Sequence, residues 1–328
     1  MRRLASLVLV LTALVLPVLA QQADSLPPNP YPPTPGSARA RAFDDRLRLN
    51  STSLVRNVTL RNVGPTVMSG RVVDVDVNPN DPTQFYVAYA TGGLWRTRNA
   101  GQSFESVFDT EAVLFIGDIA VDWARGERIW LGTGENNASR SSYAGVGIYV
   151  SPDSGNTWRF RGLEDSHHIG RIVLDPNDRN TAYVGALGAL YSPGGQRGVF
   201  KTTDGGATWR QTLTLGGNVG VVDLVMDPAQ PQTLYAATWE RTRRGWDFVE
   251  SGAGSGLYKS TDGGETWQRL NVEGSGFPTG AGVGRIGLDV ARSQPGTVFA
   301  VLDNQAHRPP RPTRMWTPTP SRGTASAR

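Results

Sequence analysis

The sequence predicts an all-β chain assembled from repeated four-stranded antiparallel units. Three observations predict it: a turn-rich composition, a Gly-led apolar strand that recurs five times, and a Ser/Thr-x-Asp-x-Gly-x-x-Trp turn that recurs with it. Of 328 residues, 39 are Gly and 22 are Pro, together about 19% against an average near 12%. Charged residues make up 19% and hydrophobic residues 38%. A long-helix or coiled-coil protein would be rich in Ala, Glu, Lys and Leu instead. Turn-dense β-structure suits the observed mix.

Taken in order, residues 1–20 (MRRLASLVLVLTALVLPVLA) read as a secretory signal peptide. Arg2 and Arg3 give a positive start, Leu4 to Leu16 an apolar stretch, and Val18 and Ala20 small residues before Gln21. The run is short for a membrane span and is broken by Pro17. The mature chain is therefore expected to be secreted or periplasmic, without a membrane span. Residues 21–42 contain six prolines and almost no apolar side chains, and are expected to form an extended linker. Residues 43–305 hold the repeats, and 306–328 form a second Pro/Arg-rich segment expected to be disordered.

Within the repeats the first strand reads SGRVVDVDVNP (69–79), IGDIAVDW (116–123), IGRIVLDP (169–176), VGVVDLVMDP (219–228) and VGRIGLDV (283–290). A second strand follows each, at 85–90, 129–134, 182–187, 234–239 and 298–303. β-branched and aromatic residues bounded by turn residues mark both as strands. The first four units add a third strand and a turn, with the full pattern at Ser151/Asp153/Gly155/Trp158, Thr202/Asp204/Gly206/Trp209 and Ser260/Asp262/Gly264/Trp267. The first copy is degenerate, Thr97/Asn99/Gly101/Phe104. The leading glycines are spaced by 47, 53, 50 and 64 residues, the size of a β-propeller blade. No helical period of a βαβ unit separates the strands. The expectation is a β-propeller with four full blades and a partial fifth, its remainder lost to truncation or a frameshift. Residues 54–64 resemble an outermost strand that would complete the last blade of a closed ring.

These turns are Asp-boxes, and residues 55–305 resemble the Asp-box (BNR-repeat) β-propeller superfamily. The nearest likeness is to bacterial exported WD40/YVTN/BNR-like and sortilin/VPS10-like repeat proteins, related to xyloglucanase-type glycoside hydrolases and sialidases. In the box the Asp accepts backbone N–H bonds of its own turn, the Gly supplies a positive φ, and the Trp buries a large face. Asp153, Asp204 and Asp262, with Gly155, Gly206, Gly264, Trp158, Trp209 and Trp267, are therefore read as structural.

Ligand contacts are expected on the opposite face, where the long loops between second and third strands lie. Blade 2 offers Glu135, Asn136, Asn137, Arg140 and Tyr143; blade 4 offers Trp239, Glu240 and Arg241; the loop entering blade 3 offers His167 and His168. Arg71, Arg171 and Arg285 open three first strands, with Asp118 at the matching place in blade 2. Three arginines could clamp a carboxylate, as the resemblance to sialidases implies, or pair with Asp118 and other acids to close the channel.

Composition excludes several functions. With no cysteine, disulfides and thiol catalysis are ruled out. Only His167, His168 and His307 are histidines, so no metal site is expected, and no cofactor. Arg2, Arg3 and five arginines of the last 23 residues account for the basic pI; without these seven, 26 basic residues face 29 acidic ones. Nucleic acid is therefore not an expected partner. The expected function is a non-catalytic binding or scaffold module for a protein, peptide or carbohydrate ligand, its catalytic residues unknown. The first alternative is a xyloglucanase-like glycoside hydrolase. That resemblance implies a catalytic Asp just before a Gly-Gly, but the segment here reads Ala90-Thr91-Gly92-Gly93. Glu135, Asp165 or Glu240 are the acids that could substitute. A sialidase-like enzyme is the second alternative.

Overall fold

A computed structural model describes residues 32–58, 70–294 and 296–307. The signal-peptide reading of 1–20 and nearly all of the 306–328 tail lie outside the described residues.

Four four-stranded antiparallel sheets follow one another along the chain. Blade 1 comprises β1 (Val72–Val77), β2 (Phe85–Tyr89), β3 (Gly93–Thr97) and β4 (Glu105–Ser106). Blade 2 comprises β5 (Ile116–Asp122), β6 (Arg128–Thr133), β7 (Ile148–Ser151) and β8 (Arg159–Phe160). Blade 3 comprises β9 (Ile169–Leu174), β10 (Ala182–Leu187), β11 (Arg197–Thr202) and β12 (Arg210–Leu213). In blade 4, β13 (Val219–Asp227) and β14 (Gln230–Glu240) precede β17 (Gly256–Ser260) and β18 (Gln268–Arg269). A small hairpin, β15 (Thr242–Arg243) with β16 (Phe248–Val249), interrupts that blade. A fifth unit contributes β19 (Val283–Val290) and β20 (Val298–Asn304) as a two-stranded sheet. The architecture is the predicted propeller series of four full blades and a partial fifth.

In blades 2 and 3 the second strand is buried along its whole length, as the middle of a sheet packed on both faces should be. All six residues of β6 and all six of β10 are buried. The apolar clusters sit between blades: Trp130, Ile148 and Val150 of blade 2 pack with Ile172, Val184 and Phe200 of blade 3.

The Asp-box closes each hairpin as its chemistry predicts. In blade 3, Thr202 Oγ1 donates to Asp204 Oδ1 at 2.8 Å, and Asp204 accepts from Thr208 N at 2.9 Å and Thr208 Oγ1 at 2.6 Å. Asp153 and Asp262 repeat the pattern with Thr157 and Thr266. Asn99 and Ser103 reproduce much of it in the degenerate first copy. The box also does something the sequence did not reveal. Trp158 Nε1 donates to Val107 O and Trp209 Nε1 to Arg161 O, each at 2.6 Å, so the indole ties its blade to the preceding one. Tyr183 of blade 3 in turn donates to Gly263 O in the blade 4 box at 2.9 Å.

Near the axis, carboxylates cross between neighbouring first strands. Asp74 accepts from Ile119 N, Asp118 from Ile172 N and Asp223 from Leu288 N, at 3.2, 2.6 and 2.8 Å. Here the register corrects the sequence alignment. Asp74, Asp118, Arg171 and Asp223 share one position, opposite Ala88, Gly132, Gly185 and Ala237. Arg71 lies three residues before Asp74, so it does not match Arg171.

The other differences concern the N-terminal side. Gly36–Thr52 form a helix, α1, where an extended linker to residue 42 and repeats from 43 were expected. Proline density ends at Pro35, and the Ala/Arg/Leu-rich run after it has good helix propensity. Residues 54–57 form a turn, not the start of an outermost strand, and 59–64 lie outside the described residues.

Candidate functional site

The loop-face end of the axis is filled by one segment, Glu135 to Ala138, from the loop after β6. Glu135 is completely buried. Its two oxygens accept from Arg71 Nε at 2.8 Å and Nη2 at 2.5 Å, and Oε1 also accepts from Asn137 Nδ2 at 2.8 Å. Asn136 Nδ2 donates to Gly117 O and Gly170 O, at the starts of blades 2 and 3. Asn137 accepts from Arg285 Nη1 at 2.7 Å through Oδ1 and from Arg241 Nη1 at 3.1 Å through its carbonyl. Four consecutive residues thus touch every blade of the series, Ala138 packing with Leu187, Val222 and Trp239. Sequence marks Glu135, Asn136 and Asn137 as ligand-contact candidates; in the structure their side chains tie the blades together as a plug. Burial works to raise the Glu135 carboxyl, but hydrogen bonds from Arg71, Asn137 and Ser142 outweigh it and hold it below the usual range.

The three arginines do not converge. Arg71 is paired with Glu135. Arg171 lies between Asp118 and Asp223 at 3.3 and 3.0 Å, and the Asp118 charge strongly favours its protonated form. Arg285 stacks over the Trp239 ring, 5.5 Å from its centroid. Trp239 is buried and donates to Glu250 O, while Glu240 accepts from Gly254 N at 2.7 Å within its own loop.

Beside the plug lies a cavity of about 380 Å³ on the same face. Its lining includes Arg39, Arg140, Tyr143, His167, His168 and Tyr191. Tyr143 and Tyr191 remain 50% and 40% exposed, and the Tyr143 ring stacks on Phe115 at 4.8 Å. Arg140 donates to Gly245 O, linking the loops of blades 2 and 4. His168 is buried, with Nδ1 2.8 Å from Glu135 O, and burial holds it well below its usual pKa. His167 is buried at a positive φ of 55°; burial, aided by the Arg39 charge, lowers its pKa to about 4. Arg140, Tyr143, His167 and His168 are thus brought together, as separate stretches of sequence could not show. Arg39 was missed, because it reaches the cavity from α1. Its guanidinium donates to Gly145 O and Glu164 O, and Gly36 N donates to Asp165 Oδ1.

A larger depression of about 560 Å³ runs along the first strands of blades 3 to 5. It is lined by aliphatic side chains such as Val173, Leu224 and Leu288 with Arg171, Asp289 and Arg292 among them, and it has no aromatic ring on which a ligand could stack. The 380 Å³ cavity is therefore the better candidate, although it is smaller. No group of acidic or histidine side chains fit to hold a metal occurs among the described residues. None of the helices among the described residues is long and apolar enough to cross a membrane.

Comparison with known proteins agrees with this architecture. The sequence model of the Sortilin-Vps10 family (sortilin, neurotensin receptor 3) matches residues 146–298. The chain is similar to the Asp-box β-propellers. It is 26% identical over 269 residues to a xyloglucanase of Paenibacillus sp, covering 73% of this chain and 24% of that protein. It is 25% identical over 237 residues to a xyloglucanase of Hypocrea jecorina (strain QM6a), covering 70% and 24%. The crystal structure of the GH74 enzyme of Niastella koreensis superposes with a TM-score of 0.52 at 21% identity, over 70% of this chain and 35% of that one. The GH74 xyloglucanase from Xanthomonas campestris gives 0.51 at 20% identity, with the same coverage. Both structures share the fold. The chain spans about a quarter of the length of the curated relatives it matches.

Proposed function

We propose that this chain is an exported propeller that binds a carbohydrate through the loop-face cavity and does not cleave it. The carrying observation is the state of the nearby acids. Glu135 is buried and gripped by Arg71, and Glu240 is held by its own loop. Glycoside hydrolysis needs two carboxyl groups flanking one bond, one of them with a raised pKa. Glu135 is held ionised, the wrong state for a general acid. Tyr143 and Tyr191, by contrast, are partly exposed aromatic side chains beside Arg140, a combination that suits stacking on a sugar and hydrogen bonding to its hydroxyls. The xyloglucanase relatives make xyloglucan oligosaccharides the first probe.

The second reading, a xyloglucan hydrolase, is favoured by those same relatives and opposed by Thr91 at the place where the resemblance implies a catalytic Asp. One titration and one assay separate the two. Xyloglucan oligosaccharides are expected to bind, with affinity reduced about tenfold or more in Tyr143→Ala, the loss typical of an aromatic anchor. No reducing ends should appear on prolonged incubation with xyloglucan, β-glucan or sialyl substrates. Turnover that disappears in Glu135→Gln or Glu240→Gln would establish the hydrolase instead.

A further inference from the structure

The loop-face cavity carries an unbalanced charge, and that charge bears on the class of carbohydrate it suits. Its lining includes Arg39 and Arg140 and no carboxylate. The acid whose charge acts on Arg39 is Asp165, which lies outside the lining and accepts from Gly36 N. Two further guanidiniums stand behind the wall. Arg197 donates to the carbonyls of Leu187, Ala189 and Ser192, and Arg241 to that of Asn137. Burial lowers their pKa values to about 10 and about 9, so both stay charged at neutral pH. Backbone carbonyls satisfy such groups as hydrogen-bond acceptors without neutralising them. Among the described residues, none of these four arginines is in an ion pair. Glu135, whose carbonyl meets His168, has its own charge matched by Arg71. The wall histidines register the surplus. Besides burial, the larger cause, the Arg39 and Arg197 charges oppose protonation of His167, and those of Arg241 and Arg197 oppose that of His168.

Arg140 is the cation of this group that a ligand can reach, because it is exposed and lines the cavity. Its stem is held at two points. Tyr191 Oη donates to Arg140 O at 3.4 Å, and Arg140 Nε donates to Gly245 O at 3.2 Å. These bonds fix the side chain between the blade 3 loop and the β15–β16 turn, and neither uses Nη1 or Nη2. Tyr143 and Tyr191, each partly exposed, border the same space. A neutral sugar would leave the surplus positive charge unused. An anionic one gains from it, since a cleft lined by charge of one sign attracts a ligand of the other. A carboxylate also matches the planar guanidinium edge in shape.

We propose that the 380 Å³ cavity prefers an acidic glycan, one whose hexuronate places its carboxylate on the terminal nitrogens of Arg140 and its ring beside Tyr143 and Tyr191. The inference rests on the carbohydrate-binding reading given above and names the ligand class of that same site. Arg140 sets the preference, and the three more buried arginines supply the field that favours it.

The test titrates the full chain calorimetrically with trigalacturonate and with the same trisaccharide after reduction of its carboxyls to hydroxymethyl groups. At low ionic strength the acid form is expected to bind about tenfold more tightly, the worth of one charge-assisted contact. The ratio should shrink at high salt, which screens a partly exposed charge pair. It should fall to near one in Arg140→Gln, whatever that change costs both ligands, and recover in part in Arg140→Lys, which keeps the charge and loses the fork. The wild-type comparison of the two trisaccharides decides without any variant. An acid form that binds no tighter than the reduced one, or an advantage that survives intact in Arg140→Gln, overturns the preference and leaves carbohydrate binding standing. Binding by neither trisaccharide nor by the xyloglucan oligosaccharide removes the carbohydrate reading, and the preference with it.

Discussion

At the scale of single residues, the same side-chain types do different work according to what surrounds them. Asp204 is exposed, yet three hydrogen bonds from Thr208 and Thr202 hold its pKa down at about 2. Such a carboxylate stabilises the fold above its ordinary value of 3.8, and that contribution is lost as pH falls through about 2. His167 titrates earlier. Its pKa is lowered from 6.5 to about 4 because the buried ring resists charging. Its neutral form favours the folded state above pH 6.5, and stability drains away as pH falls from there towards 4. His167→Asn, which tolerates the positive φ, should flatten the thermal midpoint between pH 6.5 and 4 compared with wild type. An unchanged slope would place the titrating group elsewhere. The Asp-box residues were legible in sequence because their bonds are local, spanning four residues. The place of Arg71 depends on Glu135, 64 residues away, and on three extra residues between the leading glycine and the shared register position in blade 1.

At the scale of elements, the strands were legible and the joints between them were not. Alternation and Gly-led starts mark β5, β9 and β13 nearly to the residue. The bonds from Trp158 and Trp209 into preceding blades leave no trace in spacing, since any buried indole needs an acceptor somewhere. Helix α1 is hard to read from sequence because it is largely exposed and carries no long apolar stripe; it docks through the Gly36 and Arg39 hydrogen bonds, with Ala40 and Phe43 beside Val146 and Phe160. The box glycines are the sharpest point of contact between elements. Gly206 has a φ of +84°, and a Cβ there would lie 3.1 Å from the Arg161 Cβ and 3.3 Å from the Trp130 ring. Gly206→Ala combines backbone strain with a clash across blades 2 and 3, at a cost of about 1–3 kcal/mol. Equilibrium denaturation should show the loss, and a cost near zero would mean that the turn relaxes freely.

At the scale of the molecule, blades pack in sequence and the Glu135–Ala138 plug ties them at one end of the axis. The two ends of the series carry exposed apolar residues, Val72, Val75 and Val77 on β1 and Phe299 and Val301 on β20. The plug thus links blade 1 to the fifth unit through side-chain hydrogen bonds. Glu135→Gln removes the charge that holds Arg71 and should lower stability by about 1–3 kcal/mol, as loss of a charge-assisted hydrogen bond does. Melting of that variant alongside wild type measures it. The plug could not be read from sequence, because an acidic and amide-rich loop looks the same whether it recognises a ligand or fills an axis. The division of labour between clasp and loop face is the central claim. It is tested most directly by titrating a xyloglucan oligosaccharide into wild type, Asp204→Asn and Tyr143→Ala under identical conditions. The affinity of Asp204→Asn should equal that of wild type, while Tyr143→Ala loses about tenfold or more. Binding lost in Asp204→Asn but kept in Tyr143→Ala, or no binding by wild type, would contradict it.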